Sequence, residues 1–523
     1  MPIILLLSPA RRLRYFAFVL TLVLVSIAVT GCVQQVMRRV TAPENASTLD
    51  HRSPYLKAHL KNGNVAVISK WSVDQLKREV LGQGTLLSPN RTTLETGSLV
   101  IPIDSVALFE TNVLKPSPAI ISMAVVTGAS AVLTIICLSN PKTCFGSCPT
   151  FYWSDGKDTT LVAEGFSSSI APSLERTDID ALFSVKPVSR TLSLHLTNEA
   201  LETHVIRQTV LLAAPKRGHA GVVKDHHDTL WAVTGYREPV ACTDESGSCL
   251  DLVRAFDHRE RYSLADSTDL AAKETVNVTF VSPHHQSVGL VIGSRQTLLS
   301  TYLYYQSLAY LGTRAVDFLS QLERGSATAR TAAYGLGSIL GGMTVELLQT
   351  DGTWRVVDSV LETGPLATDV VVVPLPAEHT DTLHCRIRLN KGHWRIDYLA
   401  LADLDGQVAP IRIEPTEVRS FGNEDRKACG LLSSDAAVLV TMPGDQNDIS
   451  YSLPPNPSQY EYFLESRGYY LEWMRDEWLA EENPAKAAQI FLDPEGFLKQ
   501  AAPEYKRTEK EMEGYFWGSK YAR

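Results

Sequence analysis

Eight cysteines, at positions 32, 137, 144, 148, 242, 249, 385 and 429, carry most of the chemistry legible in this chain of 523 residues. Cys144 and Cys148 sit four apart in "CFGSCP", and Gly146 permits a tight turn between them. A disulfide, a Cu(I) site built on soft thiolates, and a thiol-exchange centre all use close cysteine pairs. Thiol exchange prefers Cys-x-x-Cys at the start of a helix, and here the spacing is longer and no helical pattern follows. A copper site of this spacing needs a βαβ frame and a distant histidine, whereas the flanks read as a hairpin. The staple is the reading carried forward for Cys144 and Cys148. Cys242 and Cys249 bracket the turn-forming "TDESGS" and are a second candidate pair. Cys385 falls on the inner face of an alternating strand and is expected to be buried.

No other residues are assigned a catalytic, cofactor or metal role. His226 and His227 in "DHHD", and the histidines of "PHHQ" at 283–286, are adjacent pairs. Neighbours on a strand point to opposite faces, so these read as surface loops without a metal site. "YGLGSILGG" lacks the preceding strand of a dinucleotide fingerprint, and G-x-S-x-G, H-E-x-x-H and a Walker lysine are absent from the sequence.

The elements that hold these residues begin with an export signal. Arg11, Arg12 and Arg14 precede a charge-free apolar run over residues 15–28, followed by Val29-Thr30-Gly31-Cys32. This is the n-region, h-region and small-residue pattern of a secretory signal. The cysteine directly after Thr-Gly resembles the lipobox of bacterial lipoproteins. That resemblance implies cleavage before Cys32, acylation (palmitate) of Cys32, and a membrane partner through it. Val33 and Gln34 lack the aspartate associated with inner-membrane retention, which implies an outer-membrane lipoprotein of the bacterial cell envelope facing the periplasm. The formal net charge of −9, without a basic cluster beyond the N-terminus, argues against nucleic-acid partners.

Residues 1–31 are thus the signal peptide and 32–53 a lipid-anchored tether. Residues 54–115 read as a small β domain, with Leu56, Ala58 and Leu60 alternating before the hairpin signal Asn62-Gly63. The run 119–138 has no charge and is long enough to cross a bilayer. Its serines, threonines and glycine dilute it, and a span would put the rest of the chain across the inner membrane from Cys32, so a buried or membrane-lying segment is expected. A Cys-motif β module (141–188), a β-rich domain (189–294), a helical segment (295–342) and a sandwich-like β domain (343–455) follow. In the last, Leu383, Cys385, Ile387 and Leu389 share one face. Residues 456–523 read as aromatic helices, with Tyr470, Met474 and Trp478 at helical spacing. The fold class expected is mainly β with α: a multidomain chain of small antiparallel, sandwich-like modules and a helical C-terminal segment.

The stretch from Cys144 to Gly165 also resembles small exported bacterial domains of unknown function that start Cys-x-Gly-x-Cys-Pro-x-Tyr, then enter an Asp-Gly turn and a strand ending near a glycine; here the strand between Tyr152 and Asp155 is shorter. The matches are Cys144, Gly146, Cys148, Pro149, Tyr152, Asp155, Gly156 and Gly165. The wider chain resembles uncharacterised envelope lipoproteins, and no activity or cofactor comes with either resemblance. Binding or scaffolding, with other envelope proteins or glycans as partners, is the expected role. Copper or thiol handling through Cys144 and Cys148, and an enzyme whose site is assembled from distant residues, stay open beside it.

Overall fold

The computed structural model describes residues 35–41, 43–53, 55–60, 64–87, 93–115, 148–156, 159–198, 202–217, 220–281, 287–361, 364–365, 367–376, 381–433, 437–442, 445–472 and 481–519. The signal sequence, Cys32, the run 119–138, Cys137, Cys144 and the 283–286 histidines lie outside them. The chain is mainly β, with 49% strand against 23% helix, arranged as several antiparallel sheets with helices.

The N-terminal sheet is antiparallel in the order Gln35–Thr41, Val106–Lys115, Tyr55–Leu60, Val65–Asp74, Glu79–Leu87, Thr93–Pro102. Leu56, Ala58, Ile68, Val80, Ile101 and Phe109 form its core, so the alternation read at Leu56 and Ala58 marks the inner face. The 32–53 tether is corrected by this sheet. Gln35–Thr41 is an edge strand paired along its full length with Val106–Lys115, and Ala46 and Leu49 are buried behind it. An edge strand is held by its backbone ladder and needs no apolar alternation, so a polar stretch such as "QQVMRRV" conceals it.

Two further sheets pack face to face. One runs Asn423–Glu424, Glu417–Ser420, Gln446–Ser452, Thr191–Thr197, Thr150–Ser154, Thr159–Glu164. The other runs Ile411–Ile413, Glu202–Pro215, Tyr460–Glu472, Arg176–Ala181. Phe151, Leu194 and Ile449 from the first meet Ile206, Leu211 and Leu464 from the second in one core. Glu202–Pro215 and Tyr460–Glu472 are thus direct neighbours although about half the chain lies between them. Modules drawn along the sequence with edges near 188 and 455 are therefore interleaved in space.

Behind the second sheet of this sandwich, Gly221–Lys224, Leu230–Arg237, Trp394–Gln407, Val288–Gln296 and Asp369–Pro374 close into a five-stranded barrel. The last sheet runs Gly247–Ser248, Ala241–Asp244, Lys273–Val281, Thr382–Asn390, Met343–Leu348, Trp354–Val360. Its Val276, Val345 and Ile387 pack on Leu290, Ile292 and Leu399 of the barrel. Leu383, Cys385, Ile387 and Leu389 are all buried, as their alternation predicts.

The helices are α1 (Leu299–Leu311), α2 (Ala315–Glu323), α3 (Ala327–Leu340), α4 (Arg426–Leu432), α5 (Pro484–Leu492) and α6 (Pro494–Ser519). All but α4 share one apolar cluster that includes Leu303, Leu308, Leu319, Leu340, Ile490 and Leu498. Pro484 stands at the first turn of α5, where Asn483 caps the Lys486 amide. Among the described residues no helix is long and apolar enough to cross a membrane.

The helical reading of 456–523 is corrected at its start: Tyr460–Glu472 is a strand of 13 residues, while Met474 and Trp478 lie outside the described residues. Both its faces are buried, so its apolar residues show no period of two. Tyrosine and phenylalanine favour the pleated surface. Gly468 lets the neighbouring strand approach, since a Cβ there would stand 2.3 Å from the Val205 carbonyl oxygen.

Candidate ligand-binding cavity

Helices α1, α3 and α5 roof the open end of the sandwich, and a cavity of about 170 Å³ lies beneath them. Its apolar wall is built from Leu303, Leu308, Leu336, Leu340, Ile490 and Phe491. The helical period places Leu303, Leu308, Leu340 and Ile490 on the inner stripes of their helices, with Leu336 half-buried and Phe491 partly exposed beside them. Its floor is polar. Glu164 ends the strand Thr159–Glu164, Glu202 starts Glu202–Pro215, and Glu472 ends Tyr460–Glu472. All three carboxylates are buried, and all three line the cavity with Cys148, Tyr305 and Tyr470.

Protein groups hold this floor in place. Tyr305 Oη donates to Glu472 Oε1 at 2.5 Å. Tyr470 Oη donates to the Ser167 carbonyl at 2.8 Å, and burial, with Cys148 and Glu202 nearby, raises the Tyr470 phenol well above its ordinary range. The Ala367 amide donates to Glu164 Oε2 at 3.2 Å, and His204 Nε2 stands 3.4 Å from Glu202 Oε1. Among the described residues lining the cavity there is no lysine or arginine. Buried carboxylates at a cavity floor can accept hydrogen bonds from a guest that donates them.

The cysteines separate by environment. Cys148 lines the cavity with Sγ 3.7 Å from the Ser167 carbonyl, and Cys144, its candidate partner, is outside the described residues. Cys242 and Cys249 are joined in a disulfide with Cα atoms 5.2 Å apart, closing the hairpin that carries "TDESGS". Cys385 is buried, and burial pushes its thiol up to about 12, which keeps it protonated and unreactive. The glycines of "YGLGSILGG" lie on and just after α3 and cradle no phosphate turn.

Sequence reasoning missed the floor. A signal was present: each glutamate interrupts an apolar strand end, in "LVAEG", "LETHVI" and "YYLEW". A carboxylate within an apolar strand is the anomaly worth pursuing.

No protein-family model and no curated protein matches this chain. Among solved structures, a GH31 α-xylosidase from Xanthomonas citri aligns over 83% of the chain at 8% identity with a TM-score of 0.14. The chain spans 38% of the xylosidase's length. An infectious bursal disease virus Gx strain structure aligns over 94% of the chain and 91% of its own, at 8% identity and a TM-score of 0.12. Neither likeness carries information about fold or activity.

Proposed function

We propose that this chain is a lipid-anchored binding protein of the bacterial envelope, held through acylated Cys32, whose cavity takes a small apolar ligand bearing a hydrogen-bond donor. The cavity supports this reading: it is closed by apolar helices on one side and floored by three buried glutamates on the other. An apolar cavity of ~150 Å³ accommodates a benzene-sized guest, which sets the ligand at about one ring. An aromatic or alicyclic ring bearing a hydrogen-bond donor, such as an amine, has the matching shape and polarity.

Thermal unfolding in the presence of benzylamine and of benzoate tests the reading. Benzylamine is expected to raise the midpoint by a few degrees while benzoate does not. Leu336→Trp, on the half-buried face of α3, fills the cavity and is expected to abolish the shift, whereas Glu472→Gln keeps the acceptor for Tyr305 and weakens amine binding. Equal shifts with both rings, or no shift with either, would remove the proposal.

The anchor has its own test. The strand starts at Gln35, three residues after Cys32, and three residues reach at most about 11 Å, so an acylated Cys32 keeps the N-terminal sheet close to the bilayer surface. Cys32→Ala is expected to move the protein from the membrane to the soluble fraction. A variant that stays entirely with the membrane shows that Cys32 is not the anchor.

A further inference from the structure

Away from the cavity, the barrel hairpin between Gly221–Lys224 and Leu230–Arg237 turns through Asp225-His226-His227-Asp228. Adjacent histidines on a strand would diverge, which is why the sequence reads as carrying no metal site. These two sit on a turn instead. The Asp225 amide donates to the Thr229 carbonyl at 2.9 Å, the Asp228 amide donates to the Asp225 carbonyl at 3.1 Å, and Asp228 has a φ of +61° in the left-handed region. Asp225 fastens the turn from inside. Its Oδ1 accepts the His227 and Thr229 amides, each at 2.9 Å, and its Oδ2 accepts the Trp231 indole N–H at 2.9 Å. The imidazoles are thereby brought side by side, with centroids 3.7 Å apart.

Asp358 approaches them from the edge strand Trp354–Val360 of the neighbouring sheet, with Oδ2 3.1 Å from His226 Nδ1. One donor atom from each of His226, His227 and Asp358 lies within 4.8 Å of the others. Lys224, two residues before His226, is engaged by Asp369 at 3.0 Å. His226 and Asp358 are half-buried, and His227 is exposed, leaving the outer side open to solvent.

We infer that His226, His227 and Asp358 form a site for a divalent first-row transition metal, with zinc as the best match. Two borderline imidazoles with one carboxylate oxygen make a donor set found around Zn²⁺, and three protein ligands leave a fourth position for water. Bonds of ~2.0–2.1 Å require the three donors to draw together by about 1 Å. Rotation of the exposed His227 side chain supplies most of that movement. The bound ion would tie the barrel hairpin to the free edge of the adjacent sheet. It would also close a loop of more than one hundred residues, the kind of link that stabilises by restricting the unfolded chain.

The test uses the full chain, stripped with chelator and titrated with Zn²⁺ by calorimetry and with Co²⁺ by visible absorption. One ion per chain is expected, with an unfolding midpoint several degrees higher at saturation. His227→Ala, an exposed position whose loss leaves the fold intact, and Asp358→Asn are each expected to weaken binding at least tenfold while keeping the metal-free midpoint. Failure to bind one ion, or binding unchanged in both variants, overturns the site.

Discussion

Glu513→Ala is expected to destabilise the protein by about 3–5 kcal/mol, read as a lower urea midpoint at unchanged slope. Glu513 lies on α6 and is buried against the barrel. Its Oε2 accepts from Arg395 Nη2 at 2.9 Å, and its Oε1 accepts the Leu298 amide at 2.6 Å just before α1. Arg395 also reaches Glu260 at 3.1 Å and lies over the Tyr262 ring, 3.8 Å from its centroid. Glu260 is shared with Arg295, which is 1% exposed and whose Nη2 donates to Glu260 Oε2 at 2.8 Å. Two arginines and two glutamates thus alternate through a dry interface joining the barrel, α1 and α6.

Removing one member leaves a buried guanidinium undercompensated, and that penalty sets the expected size, rather than the net worth of the pair. Replacing both partners, Arg395→Met with Glu513→Leu, takes away the orphaned charge and is expected to recover a large part of the loss. A change under 1 kcal/mol for Glu513→Ala would mean that water already screens the network.

Such a network shows where sequence reading stops. Thr382–Asn390 declares its inner face through Leu383, Cys385, Ile387 and Leu389, because one face is dry and the other wet. The helices near 299, 484 and 494 declare themselves through apolar spacing and through Pro484 and Pro494 at their starts. These signals are local, and they suffice for the mainly β class. Which strands share a sheet is not local. Glu202–Pro215 is buried on both faces and pairs with Tyr460–Glu472, so neither strand carries a period that reveals its class or its partner. The cavity floor inherits the difficulty: Glu164, Glu202 and Glu472 are brought together only by that pairing and its neighbours. His226 and His227 are adjacent in sequence, yet their convergence on Asp358 depends on a left-handed residue and on a strand more than a hundred residues away.

Acid should expose one buried group above all. His393, between Thr382–Asn390 and Trp394–Gln407, is 3% exposed. Its Nε2 accepts from the Gln296 amide nitrogen at 3.1 Å, and its Nδ1 has no hydrogen-bond partner among the described residues. Burial first, and the charge of Lys273 second, push its pKa down to about 3. In the unfolded chain the imidazole titrates near 6.5. The folded value is the lower one, so the unfolded state takes up the proton first as pH falls. The stability that neutral His393 contributes is complete above about pH 6.5 and drains away toward pH 3, at about 1.4 kcal/mol per unit. Protonation would also turn Nε2 from acceptor to donor and break the contact with Gln296. His393→Gln stays neutral throughout. Its stability between pH 7.5 and 4.5 is therefore expected to fall by about 3 kcal/mol less than that of the unsubstituted protein, even where the variant starts lower at pH 7.5 through lost packing. Denaturant midpoints across that range decide the matter: two parallel curves would mean that His393 already meets water in the folded state and carries none of the acid sensitivity.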